Sequence, residues 1–148
     1  MTDYIFPLRQ RPSISYRTGA TAFGSYGDRQ TRVGHHPRKH AACDLNAPEG
    51  AEVLAMASGT IIRGPSEFYR GSYALEVQND DGRIIRYGEI KQDLPPGVRR
   101  GQRVFPGQVI AYVAGYIGHD GKPKHMLHLE MYSGTLTGRL SRPRSIKL

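Results

Sequence analysis

Chain breakers recur so densely along this sequence that few windows remain long enough for a helix. Glycine occurs 18 times and proline 10 times in 148 residues. Between them, apolar residues recur with period two or in short blocks, the pattern of strands. The sequence therefore predicts a mostly β fold, a single small antiparallel sheet or sandwich. Strands are expected over 52–62, 73–79, 83–90, 103–105, 109–115 and 126–132. Asn79-Asp-Asp-Gly82 falls between two of them and reads as a hairpin turn, because Asp-Gly readily takes the positive φ such turns need. The length fits one domain, 1–148, with a core over about 23–132. A loop-rich segment 1–35 precedes it and a basic tail 133–148 follows.

The longest apolar runs, 53–57 and 109–114, fall far short of the roughly 20 residues of a membrane-spanning helix. The amino terminus has neither the basic start nor the apolar stretch of a signal peptide. Synthesis in the cytoplasm is expected, with any export by another route. One cysteine, Cys43, cannot form an internal disulfide. The net charge of +8 favours a polyanionic partner, whether nucleic acid, anionic lipid or an anionic wall. Its Arg and Lys residues are scattered, which is equally the pattern of a solvated surface.

The histidines narrow the choice. His40-Ala-Ala-Cys-Asp44 sets an imidazole and a carboxylate four positions apart, which in an extended segment share a face. Alone, such a pair is more often a hydrogen-bonded structural contact. A second cluster, His125-Met-Leu-His-Leu-Glu130, alternates. Met126, His128 and Glu130 face one way, and Leu127, Leu129 and Met131 face the core. Together the segments offer two imidazoles and one carboxylate, a donor set suited to zinc with one position left for water. Such a water ionises near pH 7 and makes amide hydrolysis feasible.

Five segments in order then resemble one family, the lysostaphin or LytM-type zinc endopeptidases that hydrolyse peptidoglycan. They are His40-Ala-Ala-Cys-Asp44 with Ala47-Pro-Glu-Gly-Ala-Glu-Val53; Ala57-Ser-Gly-Thr60; Ile85-Arg-Tyr-Gly-Glu-Ile90; Gly101-Gln-Arg-Val104 with Gly107-Gln-Val-Ile110; and Leu127-His-Leu-Glu130. The resemblance spans about 23–131. It implies a small antiparallel β domain with long loops forming a groove, and Zn2+ held by His40, Asp44 and His128. Two positions depart from the usual pattern. Met126 stands where the family has a histidine near the zinc water, and Tyr87-Gly-Glu89 replaces its Tyr-x-His. Family variants carry both changes together, so Glu89 is expected to be the general base. His119, in a glycine-rich loop, is the candidate to replace the missing histidine, since His125 points to the opposite face of its strand.

Several residues carry two readings. Tyr87 could donate to the tetrahedral intermediate or pack as a strand-end aromatic. Glu130 is expected to support the ligands. Cys43 reads as a buried structural thiol, and His35-His36 as a loop beside the site. The expected activity is zinc-dependent hydrolysis of peptide crosslinks in bacterial walls, by a phage lytic enzyme or a secreted antibacterial effector. The expected substrate is a peptidoglycan peptide, with an immunity or delivery protein as protein partner. The alternative is a degenerate member that binds wall or a partner hydrolase without cutting. A nucleic-acid-binding β domain would explain the charge but none of the five motifs.

Overall fold

The computed structural model describes residues 3–17 and 42–133. Its strands are β1 (Cys43–Asn46), β2 (Glu52–Leu54), β3 (Gly59–Glu67), β4 (Tyr73–Asn79), β5 (Ile84–Ile90), β6 (Arg103–Val104), β7 (Val109–Tyr112), β8 (Gly115–Ile117) and β9 (Pro123–Tyr132). The larger sheet runs β1-β9-β5-β4-β3-β6, with β8 also paired to β9, and β2 pairs with β7 in a second sheet. Every pairing is antiparallel. The fold is the expected mostly β one.

The turn at 79–82 forms as expected: Gly82 takes φ 94° and its N–H donates to Asn79 O at 2.9 Å. That turn sets the register of β4 on β5, in which Glu76 opposes Arg86 and Leu75 opposes Tyr87.

Two expected strands are each divided. The segment 52–62 splits because the chain leaves the small sheet after Leu54 and joins the large one at Gly59. There it passes so close to β4 that a Cβ at residue 59 would stand 2.4 Å from Gln78 O, an approach only glycine permits. The segment 109–115 splits into β7 on the small sheet and β8 on β9, the latter an element the sequence pattern did not resolve.

The core lies between the sheets and is filled by Val53, Ile61, Leu75, Val77, Ile85, Tyr87, Ile110, Val113 and Leu127. Residues 3–17 close one side of it. Ile5 N–H donates to Met56 O, Leu54 N–H to Pro7 O, and Leu8 bridges to Val53. In β9 the apolar parity holds only part way. Leu127 is buried and Leu129 packs against the core, but Met131 is 48% exposed. Cys43 opposes Leu129 and is half-buried rather than buried, its thiol donating to Tyr16 O at 3.3 Å. No helix among the described residues is long and apolar enough to cross a membrane.

Candidate metal centre

The outer face of β1, β9 and β5 collects polar side chains because antiparallel register places directly opposed residues on one side. Asp44 opposes His128, Arg86 opposes Glu130, and Gly88 opposes His128. Asp44 Oδ1 lies 2.9 Å from His128 Nδ1. On the other side of the ring, Nε2 is 2.8 Å from Glu130 Oε2. The two carboxylates thus divide the imidazole between them, and Glu130 leaves Nδ1 as the nitrogen turned toward Asp44.

Glu89 joins this pair through a break in the strand's alternation. Residues 87 and 89 would ordinarily share a face, and Tyr87 points into the core. Between β4 and β5, however, Ala74 opposes Gly88 and Tyr73 opposes Ile90, so Glu89 is an extra residue with no partner across the ladder. It takes φ 60°, a left-handed conformation that non-glycine residues rarely adopt. This bulge turns the carboxyl to the outer face, where a ligand atom of Glu89 lies within 4.8 Å of those of Asp44 and His128. Strained backbone of this kind costs on the order of 1–3 kcal/mol and concentrates at functional sites.

Gly88 beside it is equally constrained. A Cβ there would stand 2.6 Å from Phe68 Cε2, so the absence of a side chain lets the buried Phe68 ring lie against the strand. That ring sits 5.2 Å from the His128 ring and walls the site on one side.

The electrostatics call for a cation. Burial pushes the Glu89 carboxyl up from 4.5 to about 7; the His128 charge opposes the shift, the Asp44 charge adds to it, and the Tyr116 hydroxyl lowers it through a hydrogen bond. Glu89 Oε2 is out of solvent with no hydrogen-bond partner, which is costly for a carboxylate. At His128 burial works against the charged form. Its hydrogen bonds to Asp44 and Glu130, with the charges of Glu89 and Asp44, outweigh burial and raise its pKa from 6.5 to about 10. Without a metal, the protonated His128 sits among three carboxylates, of which Glu130 also has a second cation, Arg86, on it. The Asp44–His128 carboxylate–imidazole pair fits a divalent ion of zinc's ligand preference, and the orphaned Glu89 oxygen lies beside it.

Behind His128 runs a ladder of alternating charge. Arg86 is wholly out of solvent. Its Nε donates to Glu76 Oε2 at 2.9 Å and its Nη1 to Glu130 Oε1 at 3.0 Å. Arg63 reaches Glu76 at 3.7 Å from β3, and the Tyr132 hydroxyl donates to Glu130. Glu130 is held below the usual carboxylate range: burial raises it, and the hydrogen bonds from His128 and Tyr132 more than offset that. Sequence reasoning passed over Glu76 and Arg86.

The other expected residues lie as follows. His40 and the His35-His36 pair fall outside the described residues. Tyr87 is not in the site: it is fully buried, opposes Leu75 and Leu129 on the core face, and accepts the Met56 N–H at 2.9 Å. His119 lies outside the Asp44–Glu89–His128 group, with Nε2 3.1 Å from the Tyr69 hydroxyl and Nδ1 3.1 Å from Arg70 Nη2. His125 donates through Nδ1 to Ala47 O at 2.6 Å, on the opposite face from His128.

The domain is mostly antiparallel β, and its outer face gathers an imidazole and two carboxylates that could hold a metal ion. Residues 38–140 match the model of Peptidase family M23, and the chain belongs to that family. Its fold is similar to the catalytic domain of lysostaphin from Staphylococcus simulans, at 21% identity and TM-score 0.58 over 78% of this chain and 79% of that one. It is also similar to a zinc-containing peptidase from Vibrio cholerae, at 23% identity and TM-score 0.61, covering 93% of this chain but only 41% of that one. A third is a point mutant of the catalytic domain of the prophage-encoded M23 protein EnpA from Enterococcus faecalis, at 21% identity and TM-score 0.57 over 89% of this chain and 93% of that one. No curated protein is significantly similar.

Proposed function

We propose that the chain is a zinc-dependent endopeptidase that hydrolyses peptide crosslinks of bacterial peptidoglycan. Family membership supports a peptidase, and the lysostaphin-like and prophage-encoded neighbours support a wall substrate. The observation that carries an active rather than a degenerate reading is the Glu89 bulge. It turns a buried, unpartnered Oε2 to the face that carries Asp44 and His128, which supports its reading as the base.

In this reading Asp44, His128 and His40 would hold zinc, which when bound would polarise the scissile carbonyl and acidify the attacking water. Glu89 accepts the water's proton at Oε2 and delivers it to the leaving amine, a task suited to a carboxyl whose pKa sits near 7. The Tyr116 hydroxyl steadies that carboxyl. Glu130 keeps a proton on His128 Nε2, which fixes the tautomer that turns the Nδ1 lone pair toward Asp44, where the metal would sit between them. Phe68 shields one side of the site from water. The chain acts on the wall, outside the cytoplasm, as a phage lytic enzyme or a delivered antibacterial effector.

The test is Glu89→Gln protein with metal content measured and purified walls as substrate. Zinc retained with hydrolysis lost is expected. Hydrolysis retained with zinc bound removes Glu89 from the reaction.

A further inference from the structure

One cluster beside the site has no part in the reaction as described. A short 3-10 turn, Tyr69–Gly71, leads into β4, and Arg70 within it takes φ 52°. This second left-handed non-glycine residue holds its guanidinium against the β8–β9 loop. Arg70 Nη2 lies 3.1 Å from His119 Nδ1, and His119 Nε2 lies 3.1 Å from the Tyr69 hydroxyl. The Tyr69 ring meets Tyr116 edge-on at 5.5 Å, and Tyr116 hydrogen-bonds Glu89. The cluster is therefore separated from the reacting end of Glu89 by a single tyrosine.

The direction of these hydrogen bonds can be worked out. An arginine has no acceptor, so His119 Nδ1 must accept, and the ring's single proton lies on Nε2. That proton goes to the Tyr69 oxygen, which frees the Tyr69 O–H to donate elsewhere. Arg70 Nε is out of solvent with no acceptor, and no carboxylate among the described residues pairs with its guanidinium. Beyond the Nη2–His119 bond, the cluster thus presents a cation and a hydroxyl donor with no carboxylate opposite them among the described residues. That combination suits a ligand that only accepts and carries negative charge, a carboxylate.

We propose that Arg70 and Tyr69, buttressed by His119, form a subsite that binds a free carboxylate of the wall peptide next to the scissile bond. The proposal rests on the peptidase reading and adds a substrate requirement to it. The enzyme should prefer crosslinked peptides whose carboxylate is free over those in which it is amidated.

The test uses zinc-loaded Glu89→Gln protein, which would hold substrate without cutting, and two synthetic crosslinked wall peptides identical except for carboxylate or carboxamide beside the crosslink. Calorimetric titration should give about tenfold tighter binding of the carboxylate form, the scale of one charge-assisted hydrogen bond. Adding Arg70→Gln should bring that ratio to about one, and adding Tyr69→Phe instead should reduce it to about threefold. Thermal midpoints report whether each variant is folded, and should Arg70→Gln not fold, the Tyr69→Phe ratio decides. Equal binding of the two peptides before Arg70 is changed, a ratio unmoved by either variant, or no binding of the carboxylate peptide overturns the proposal. Failure of the peptidase reading would look different: wild-type protein would cut neither peptide while the binding preference persisted.

Discussion

Replacing Glu89 by Gln should abolish hydrolysis and yet make the metal-free protein more stable at alkaline pH. In the folded chain the carboxyl's pKa is raised from 4.5 to about 7, burial being the main cause. A raised carboxyl pKa means that the folded state holds the proton more tightly than the unfolded one. Stability from this group is thus greatest below pH 4.5, declines as pH rises from 4.5 to 7, and levels off above. The difference between 4.5 and about 7 corresponds to about 3 kcal/mol. Gln has nearly the same shape and no charge to desolvate, so it removes this loss. Part of the gain is returned because the Glu89 charge also helps to keep His128 protonated. A net stabilisation of about 2 kcal/mol at pH 8 is expected, or about 4–8 °C in melting midpoint for a chain of this size. At pH 5, where Glu89 is already neutral, the two proteins should differ by less than about 1 kcal/mol. Urea unfolding of EDTA-stripped wild type and variant at pH 5 and pH 8 measures both differences. A variant that is less stable at pH 8, or that shows the same offset at both pH values, would refute the claim that Glu89 is a buried carboxyl held there at a cost to stability.

Arg86→Met should leave Glu76 and Glu130 buried without their shared cation, costing about 3–5 kcal/mol by urea unfolding. Where folded protein is recovered, zinc affinity measured by chelator competition should fall about 10–100-fold, because Glu130 would no longer be held against His128. Tyr87→Phe removes only the acceptor of the Met56 N–H. It should destabilise by about 1–2 kcal/mol with kcat within about twofold of wild type, and a large loss of kcat without loss of stability would return Tyr87 to the reaction. Gly88→Ala pushes a methyl group into the Phe68 ring and should cost about 1–3 kcal/mol, with kcat falling as the wall beside His128 shifts. Zinc binding must displace the proton that His128 holds up to about pH 10. Apparent zinc affinity should therefore rise about tenfold per pH unit between pH 6 and 8, and a flat profile in competition titrations would exclude His128 as a ligand.

Much of this site was legible because strands write their geometry into parity. The alternation of residues 126–131 placed His128 and Glu130 together without any structure, and the same rule applied to Asp44 and Cys43 separated them correctly. Parity also marks where the reading failed. Tyr87 carries two readings in the sequence, a donor to the intermediate or a packed strand-end aromatic, and parity alone puts it on one face with Glu89. The structure separates them by inserting Glu89 as a bulge at φ 60°, and nothing in Tyr-Gly-Glu announces which residue a strand will extrude. Met131 failed for another reason: parity says which way a side chain points but not whether anything lies beneath it. The buried ladder was one residue out of reach. Counting outward from Asn79-Asp-Asp-Gly82 sets Glu76 opposite Ile85, whereas the observed register pairs Gln78 with Ile84 and so Glu76 with Arg86. Opposite charges on the predominantly apolar strands of a hairpin were the available signal for an ion pair that a scattered-charge reading overlooked. The physical link is that Arg86 neutralises Glu130, Glu130 orients His128, and His128 with Asp44 leaves room for one more positive charge.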